Sequence, residues 1–209
     1  MLRVLLVDDH PVVRKGMRFI LEEGLRPGVE VSEASDGDEA LAALASPPDV
    51  MVLDLSMPGR SGIDLLAEVK HRCPQLPVLI MSLHAEEQFA VRALRAGASG
   101  YLTKSAAPEN LVTAVTKVAR GGRYVSETLA DLLAADLGGE AVSAPHERLS
   151  DREFEVMCAI ASGKTASEIA ATMHLSVKTI STYRTRLLEK MGMSSNAELT
   201  RYAIENHLV

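Results

Sequence analysis

The chain has no tryptophan, only three phenylalanines and four tyrosines in 209 residues. Its cores must therefore be built from Leu, Val, Ile, Ala and Met. Cysteine is nearly absent as well. Cys73 and Cys158 lie far apart and form no metal-type spacing, which excludes a disulfide framework or a zinc site and leaves two buried or idle thiols. No apolar run is long enough to span a bilayer. The opening MLRVLLVDDHP meets two aspartates too early for a secretory signal. There is no Gly-rich phosphate loop for a nucleotide, and no Ser-His-Asp or Cys-His arrangement for nucleophilic catalysis. Together these absences describe a chain expected in the cytoplasm, with no membrane partner and no enzyme signature.

The length suits two small domains, and the apolar and charged fractions are those of ordinary globular protein. The net charge of −6 looks wrong for a nucleic-acid binder, but it is unevenly spread. Residues 1–120 carry −3, residues 121–146 another −3, and residues 147–209 are neutral. Within the last part, Ile169 to Ala197 holds Lys178, Arg184, Arg186 and Lys190 against Glu189 alone, a local +3. The average conceals a basic stretch the size of one helix.

Residues 1–120 alternate short apolar runs with longer amphipathic ones. Strands are expected at Val4–Val7, Val29–Ala34, Val50–Asp54, Val78–Ser82 and Gly100–Leu102. Helices are expected at Val12–Glu23, Asp38–Ala45, Ile63–Arg72, Glu86–Ala96 and Glu109–Arg120, with Gly and Pro at the boundaries. Five such repeats imply an α/β, doubly wound, five-stranded parallel sheet, since parallel strands need crossovers of this length. A linker follows at 121–146, with one short helix near 127–137 and a glycine-containing hinge. From residue 147 the pattern is all helical: Asp151–Ser162, Ala166–Met173, Val177–Met191 and Asn196–Asn206. Ser150 with Glu153 makes a capping box, and Ser176 is a good N-cap.

Asp8 and Asp9 close the first strand and Asp54 the third. With strand order 2-1-3-4-5 these strands are neighbours, and the ligand crevice of such a sheet lies beyond their carboxyl ends. Three converging carboxylates repel unless a cation joins them, and Mg²⁺ suits a few carboxylates together with phosphate oxygens. Ser82 ends the fourth strand and Lys104 follows the fifth. A metal, a nucleophilic carboxylate, a lysine and a hydroxyl form a constellation for phosphoryl transfer.

The blocks VLLVDDHPVVRKG, VLDLSMPGRSGIDLL, VLIMSLHA and GASGYLTKSAAPENL resemble the successive blocks of a receiver domain. The whole chain resembles response regulators of the NarL/FixJ type, which implies a flavodoxin-like receiver followed by a LuxR-type helix-turn-helix of four helices. The resemblance implies that Asp54 accepts a phosphoryl group from a sensor histidine kinase. It implies Asp9 as a direct Mg²⁺ ligand, Asp8 as one through water, and the main-chain carbonyl of Ser56 as another. Lys104 and Ser82 would contact the phosphoryl group, Tyr101 would be a switch aromatic, and Ser56 and His84 occupy positions that modulate hydrolysis.

LSDREFEVMCAIASGKTASEIAATMHLSVKTISTYRTRLLEKMGM carries the second resemblance. Ala166–Met173 reads as the scaffold helix, His174-Leu175 as the turn, and Val177–Met191 as the recognition helix. Ile180, Leu187, Leu188 and Met191 should face its core. The candidate DNA contacts are Lys164, Lys178, Thr179, Ser181, Thr182, Tyr183, Thr185, Arg186 and Lys190. Lys164, Lys178, Arg184, Arg186 and Lys190 are read toward phosphates, and Ser181, Thr182 and Thr185 toward base edges. The family often has Lys where Ser181 stands and His where Tyr183 stands, which puts the operator sequence in question. The expected protein is a phosphorylation-gated transcription regulator that binds promoter DNA as a homodimer. Two other readings are a phosphorylation-independent regulator with a vestigial receiver and a Mg²⁺-dependent phosphatase. The intact Asp9, Asp54, Ser82 and Lys104 oppose the first of these, and the complete helix-turn-helix opposes the second.

Overall fold

The structure is a computed structural model that describes residues 1–55, 57, 62–82, 86–106, 108–126, 129–130, 144–206 and 208–209, with backbone only at 86–88, 147 and 151. The expectations for Ser56 and His84, and for nearly all of the linker helix, fall outside the described residues. The chain divides into two compact units, Met1–Leu133 and Ala134–Val209.

The first unit runs β1 (Leu2–Val7), α1 (Pro11–Gly24), β2 (Val29–Ala34), α2 (Gly37–Ala43), β3 (Val50–Asp54), α3 (Gly62–Arg72), β4 (Val78–Ser82), α4 (Glu86–Arg95), β5 (Gly100–Thr103) and α5 (Pro108–Ala119). The five strands form one parallel sheet in the order β2-β1-β3-β4-β5. β3 and β4 are buried at every position, which is why each is a continuous apolar run, rather than an alternating one, up to its closing Asp54 or Ser82. One face of the sheet packs Val4, Leu6, Val52 and Leu79 against Met17 and Leu21 of α1 and Leu111 and Val115 of α5. Strand alternation sends Leu5, Leu53, Ile80 and Tyr101 to the other face, and all four are buried.

Three element starts move for a physical reason. α1 and α5 begin on Pro11 and Pro108, one residue earlier than the apolar periodicity suggests. Proline fits the first helical position because the N–H it lacks has no partner there anyway. β1 begins at Leu2, whose N–H donates to the Gly28 carbonyl at 2.7 Å and whose register partner is Val29. One further feature has no periodic signature. Tyr124, past α5, lies along β5: Tyr101 N–H donates to the Tyr124 carbonyl at 3.1 Å, and Tyr124 N–H to the Ser99 carbonyl at 3.0 Å. Gly100 allows this approach, since a Cβ there would stand 2.6 Å from the Tyr124 oxygen.

The second unit opens with a 3₁₀ turn at Pro145–Arg148 and continues with α6 (Asp151–Ala161), α7 (Ala166–Thr172), α8 (Val177–Met191) and α9 (Asn196–Glu205). The Ser150/Glu153 capping box is formed, and Thr165 with Glu168 makes a second. Ser176 caps α8, Ser195 caps α9, and Gly192 ends α8 in the left-handed region at φ 65°. Phe154, Met157, Ile169, Ile180, Leu187, Leu199 and Ala203 are buried within this unit. Among the described residues, no helix is long and apolar enough to cross a membrane.

Candidate functional site

Parallel strands all end on one side of the sheet, so a residue that closes a strand faces the same crevice as its neighbours. Asp8 follows β1, Asp54 ends β3, Ser82 ends β4 and Lys104 follows β5. The Lys104 N–H donates to the Ser82 carbonyl at 2.7 Å, which fixes where its side chain begins. Its Nζ donates to Asp8 Oδ2 at 2.6 Å and to Asp54 Oδ2 at 2.7 Å. The side chains of Asp8, Asp54 and Lys104 are 0%, 1% and 8% exposed, so these pairs are almost dry. Burial alone would lower the Lys104 pKa, but the facing Asp54 and Asp8 carboxylates outweigh it and hold the ammonium above lysine's usual value. Ser82 and Tyr101 are both fully buried.

One lysine does not neutralise three carboxylates. Asp8 Oδ1 accepts from the His10 N–H at 2.7 Å. His10 Nδ1 lies 2.8 Å from Asp9 Oδ1, within ion-pair range but out of line for a hydrogen bond, so this buried oxygen has no hydrogen-bond partner among the described residues. Ligand-capable atoms of Asp8, Asp9, His10 and Asp54 lie within 4.8 Å of one another. Hard oxygen donors, residual negative charge and an unpartnered carboxylate oxygen fit a hard divalent cation such as Mg²⁺.

Sequence reasoning did not single out Arg14. Its Nη1 donates to the Asp8 carbonyl at 2.5 Å while its Nε pairs with Glu33 at 3.1 Å. Arg14 sits in the first turn of α1, three residues after Pro11, and there its guanidinium reaches back to the end of β1. Nothing in a one-dimensional pattern marks an arginine that holds a main-chain carbonyl.

The second cluster is the exposed face of α8. Ile180, Leu187, Leu188 and Met191 are buried, which turns Lys178, Ser181, Thr182, Thr185 and Arg186 outward. Ser176, Lys178, Thr179, Thr182, Tyr183 and Arg186 line a shallow cleft of about 270 Å³. Lys164 is exposed in the loop before α7. Not every cation of α8 points to solvent alone. Lys190 Nζ donates to Glu153 at 2.7 Å and Arg184 Nε to Asn196 at 2.7 Å. Burial would raise the Glu153 pKa, but hydrogen bonds from Lys190 and from Ser150 outweigh it and hold the carboxyl below its usual range.

A parallel α/β unit with an acidic pocket and a buried lysine, on the same chain as a four-helix unit with a basic exposed helix, defines a regulator that couples phosphoryl chemistry to DNA. Residues 4–116 match the response regulator receiver domain family, and residues 147–203 match the bacterial regulatory proteins of the luxR family. The response regulator UvrY of Escherichia coli (strain K12) is 35% identical over 210 residues, 100% of this chain and 96% of that protein. The transcriptional activator protein ExaE of Pseudomonas putida is 40% identical over 209 residues, 99% of this chain and 97% of that protein. RcsB of Salmonella enterica serovar Typhimurium, solved bound to the promoter rprA with the phosphomimetic BeF₃⁻, superposes with a TM-score of 0.62 at 28% identity, covering 96% of this chain and 97% of that one. The chain belongs to the response regulators that join a receiver domain to a LuxR-type DNA-binding domain.

Proposed function

We propose that Asp54 is the phosphoacceptor through which a sensor histidine kinase controls promoter binding by the C-terminal unit. The observation that carries this is the buried contact of Lys104 with both Asp54 and Asp8 at the strand ends. The Asp54 carboxylate attacks the donor phosphorus in line and the donor's leaving group departs opposite it. The Lys104 ammonium, held charged by its carboxylate neighbours, neutralises charge gathering on the equatorial oxygens. Ser82 supplies a hydroxyl to a phosphoryl oxygen at the end of β4, and Tyr101, two strand positions away across β5, responds as the switch aromatic. Asp9 and Asp54 directly, Asp8 through water and the main-chain carbonyl of Ser56 would hold Mg²⁺, which when bound neutralises phosphoryl oxygen charge.

The added phosphate charge biases a bistable surface of the receiver. The output is DNA binding by a homodimer in the cytoplasm, without catalysis of a further reaction. Lys164, Lys178, Arg184, Arg186 and Lys190 contact phosphates, Ser181, Thr182 and Thr185 lie against base edges, and Thr179 and Tyr183 complete the DNA contacts. The division of labour is a receiver at 1–120, a linker at 121–146 and the DNA-binding domain at 147–209. Support for the dimer comes from RcsB, of which two dimers have been solved on two parallel DNAs.

Incubation of the chain with acetyl phosphate and Mg²⁺ is the test. One acid-labile phosphoryl group per chain should appear by mass spectrometry, and Asp54→Asn should abolish it. Undiminished labelling of that variant would place the acceptor elsewhere.

A further inference from the structure

The three hydroxyls at the centre of the exposed face of α8 are already donating. Ser181 Oγ donates to the Val177 carbonyl at 3.0 Å, Thr182 Oγ1 to Lys178 at 3.0 Å, and Thr185 Oγ1 to Ser181 at 3.1 Å. A hydroxyl has one proton, and here each proton is committed to the helix itself. What these side chains have left for a partner is oxygen lone pairs and, on the two threonines, a methyl group. With Oγ1 over the preceding turn, Cγ2 takes the other allowed staggered position, and both threonines are exposed.

These three hydroxyls have no proton to give to guanine O6 or N7, the commonest base-specific contact and one made by Arg or Lys. The side chains that carry them match the C5-methyl of thymine and the exocyclic amines of adenine and cytosine. Lys178 and Arg186 stand one turn before and one turn after Thr182 and share its cleft. That spacing lets two cations bind the backbone while the threonine between them meets a base. Apolar contact then has to supply the discrimination that the hydroxyls cannot.

We infer that α8 reads its half-site through thymine methyl groups packed on Cγ2 of Thr182 and Thr185, not through side-chain hydrogen bonds to guanine. The inference rests on the reading of α8 as the helix that enters the major groove. It adds the class of base the helix selects and the group that selects it.

The test uses the full chain after treatment with acetyl phosphate and Mg²⁺. Random duplexes are enriched by repeated binding and sequencing, and the enriched duplex is remade with each thymine replaced in turn by deoxyuridine. That exchange removes the methyl and leaves every hydrogen-bonding group. At the positions facing Thr182 and Thr185, uracil should weaken binding roughly fourfold, the effect of one buried methyl-sized group. Thr182→Val, which keeps a methyl, should retain the thymine preference at its position, and Thr182→Ser and Thr185→Ser should each erase one. Equal binding of thymine and uracil duplexes overturns the inference and leaves DNA recognition by α8 standing. So does loss of the preference in a folded Thr182→Val chain, which would make the hydroxyl the reader. Failure to bind any duplex overturns the reading of α8, and the inference with it.

Discussion

Lys104 and Asp54 come together at 2.7 Å although fifty positions separate them in sequence. The contact holds a cation between two carboxylates that are themselves out of water. Removing one partner of a buried pair leaves the other charge uncompensated. Lys104→Met should therefore destabilise the first unit by roughly 3 kcal/mol in the absence of divalent cation. Added Mg²⁺ should recover part of the loss, because it offers the same carboxylates a positive charge. Thermal unfolding of wild type and variant with and without Mg²⁺ checks this. A variant as stable as wild type without Mg²⁺ would show that the pair contributes nothing net.

Glu153 joins two elements by accepting from the Ser150 N–H at the start of α6 and from Lys190 on α8, each near 2.8 Å. Its side chain is 4% exposed. Glu153→Gln should cost about 1–3 kcal/mol at neutral pH. The folded pKa is depressed, so the stabilisation is complete above the unfolded value of about 4.3 and is lost as pH falls through the folded value. The gap between wild type and Glu153→Gln should thus close on acidification below about pH 4. Urea unfolding, followed by the NMR signals of Phe154 and Tyr202, gives both midpoints. A gap independent of pH would remove ionised Glu153 from the account.

Lys178 and Lys190 lie on one helix but should behave differently. Lys178 is exposed and faces the cleft beside Thr182, so Lys178→Ala should lower affinity for all sequences. It should also reduce the salt slope by about 0.9, the value of one phosphate contact. Lys190 shares its ammonium with Glu153. Lys190→Ala should change the salt slope less than Lys178→Ala and should lower the stability of the second unit as well. Binding isotherms at several salt concentrations, alongside urea midpoints, separate the two effects. Equal slope changes with unchanged stability would contradict this division.

Gly100 is the point where the chain beyond α5 closes on β5. A Cβ there would meet the Tyr124 oxygen at 2.6 Å and its Cβ at 3.0 Å. Gly100→Ala should push this segment off the sheet and cost about 1–3 kcal/mol, as overpacking does. The amides of Tyr101 and Tyr124, which cross this seam, should lose protection in hydrogen exchange before those of β3. Unchanged protection at both amides would show that the segment adapts without leaving the strand.

The parallel sheet, the helix number in each described unit and the polar outer face of α8 were legible because each follows from a repeating pattern, whereas the strand order came with the resemblance to receiver domains. Val50–Leu53 and Val78–Ile80 are apolar throughout because both faces of their strands are covered. Ile180, Leu187, Leu188 and Met191 recur at helical spacing because one side of α8 meets the core. Asp8, Asp9, Asp54, Ser82 and Lys104 could be gathered in advance because parallel strands share an end. Only the tertiary structure decided how those groups are paired. It gave Lys104 to both Asp8 and Asp54, left Asp9 Oδ1 without a hydrogen bond among the described residues, brought Arg14 to the Asp8 carbonyl, tied Lys190 to Glu153 and laid Tyr124 along β5. Periodicity records which face of an element is dry, because burial acts on every turn or every second residue. A hydrogen bond between elements depends on the position and direction of two single atoms, and no repeat along the chain encodes that.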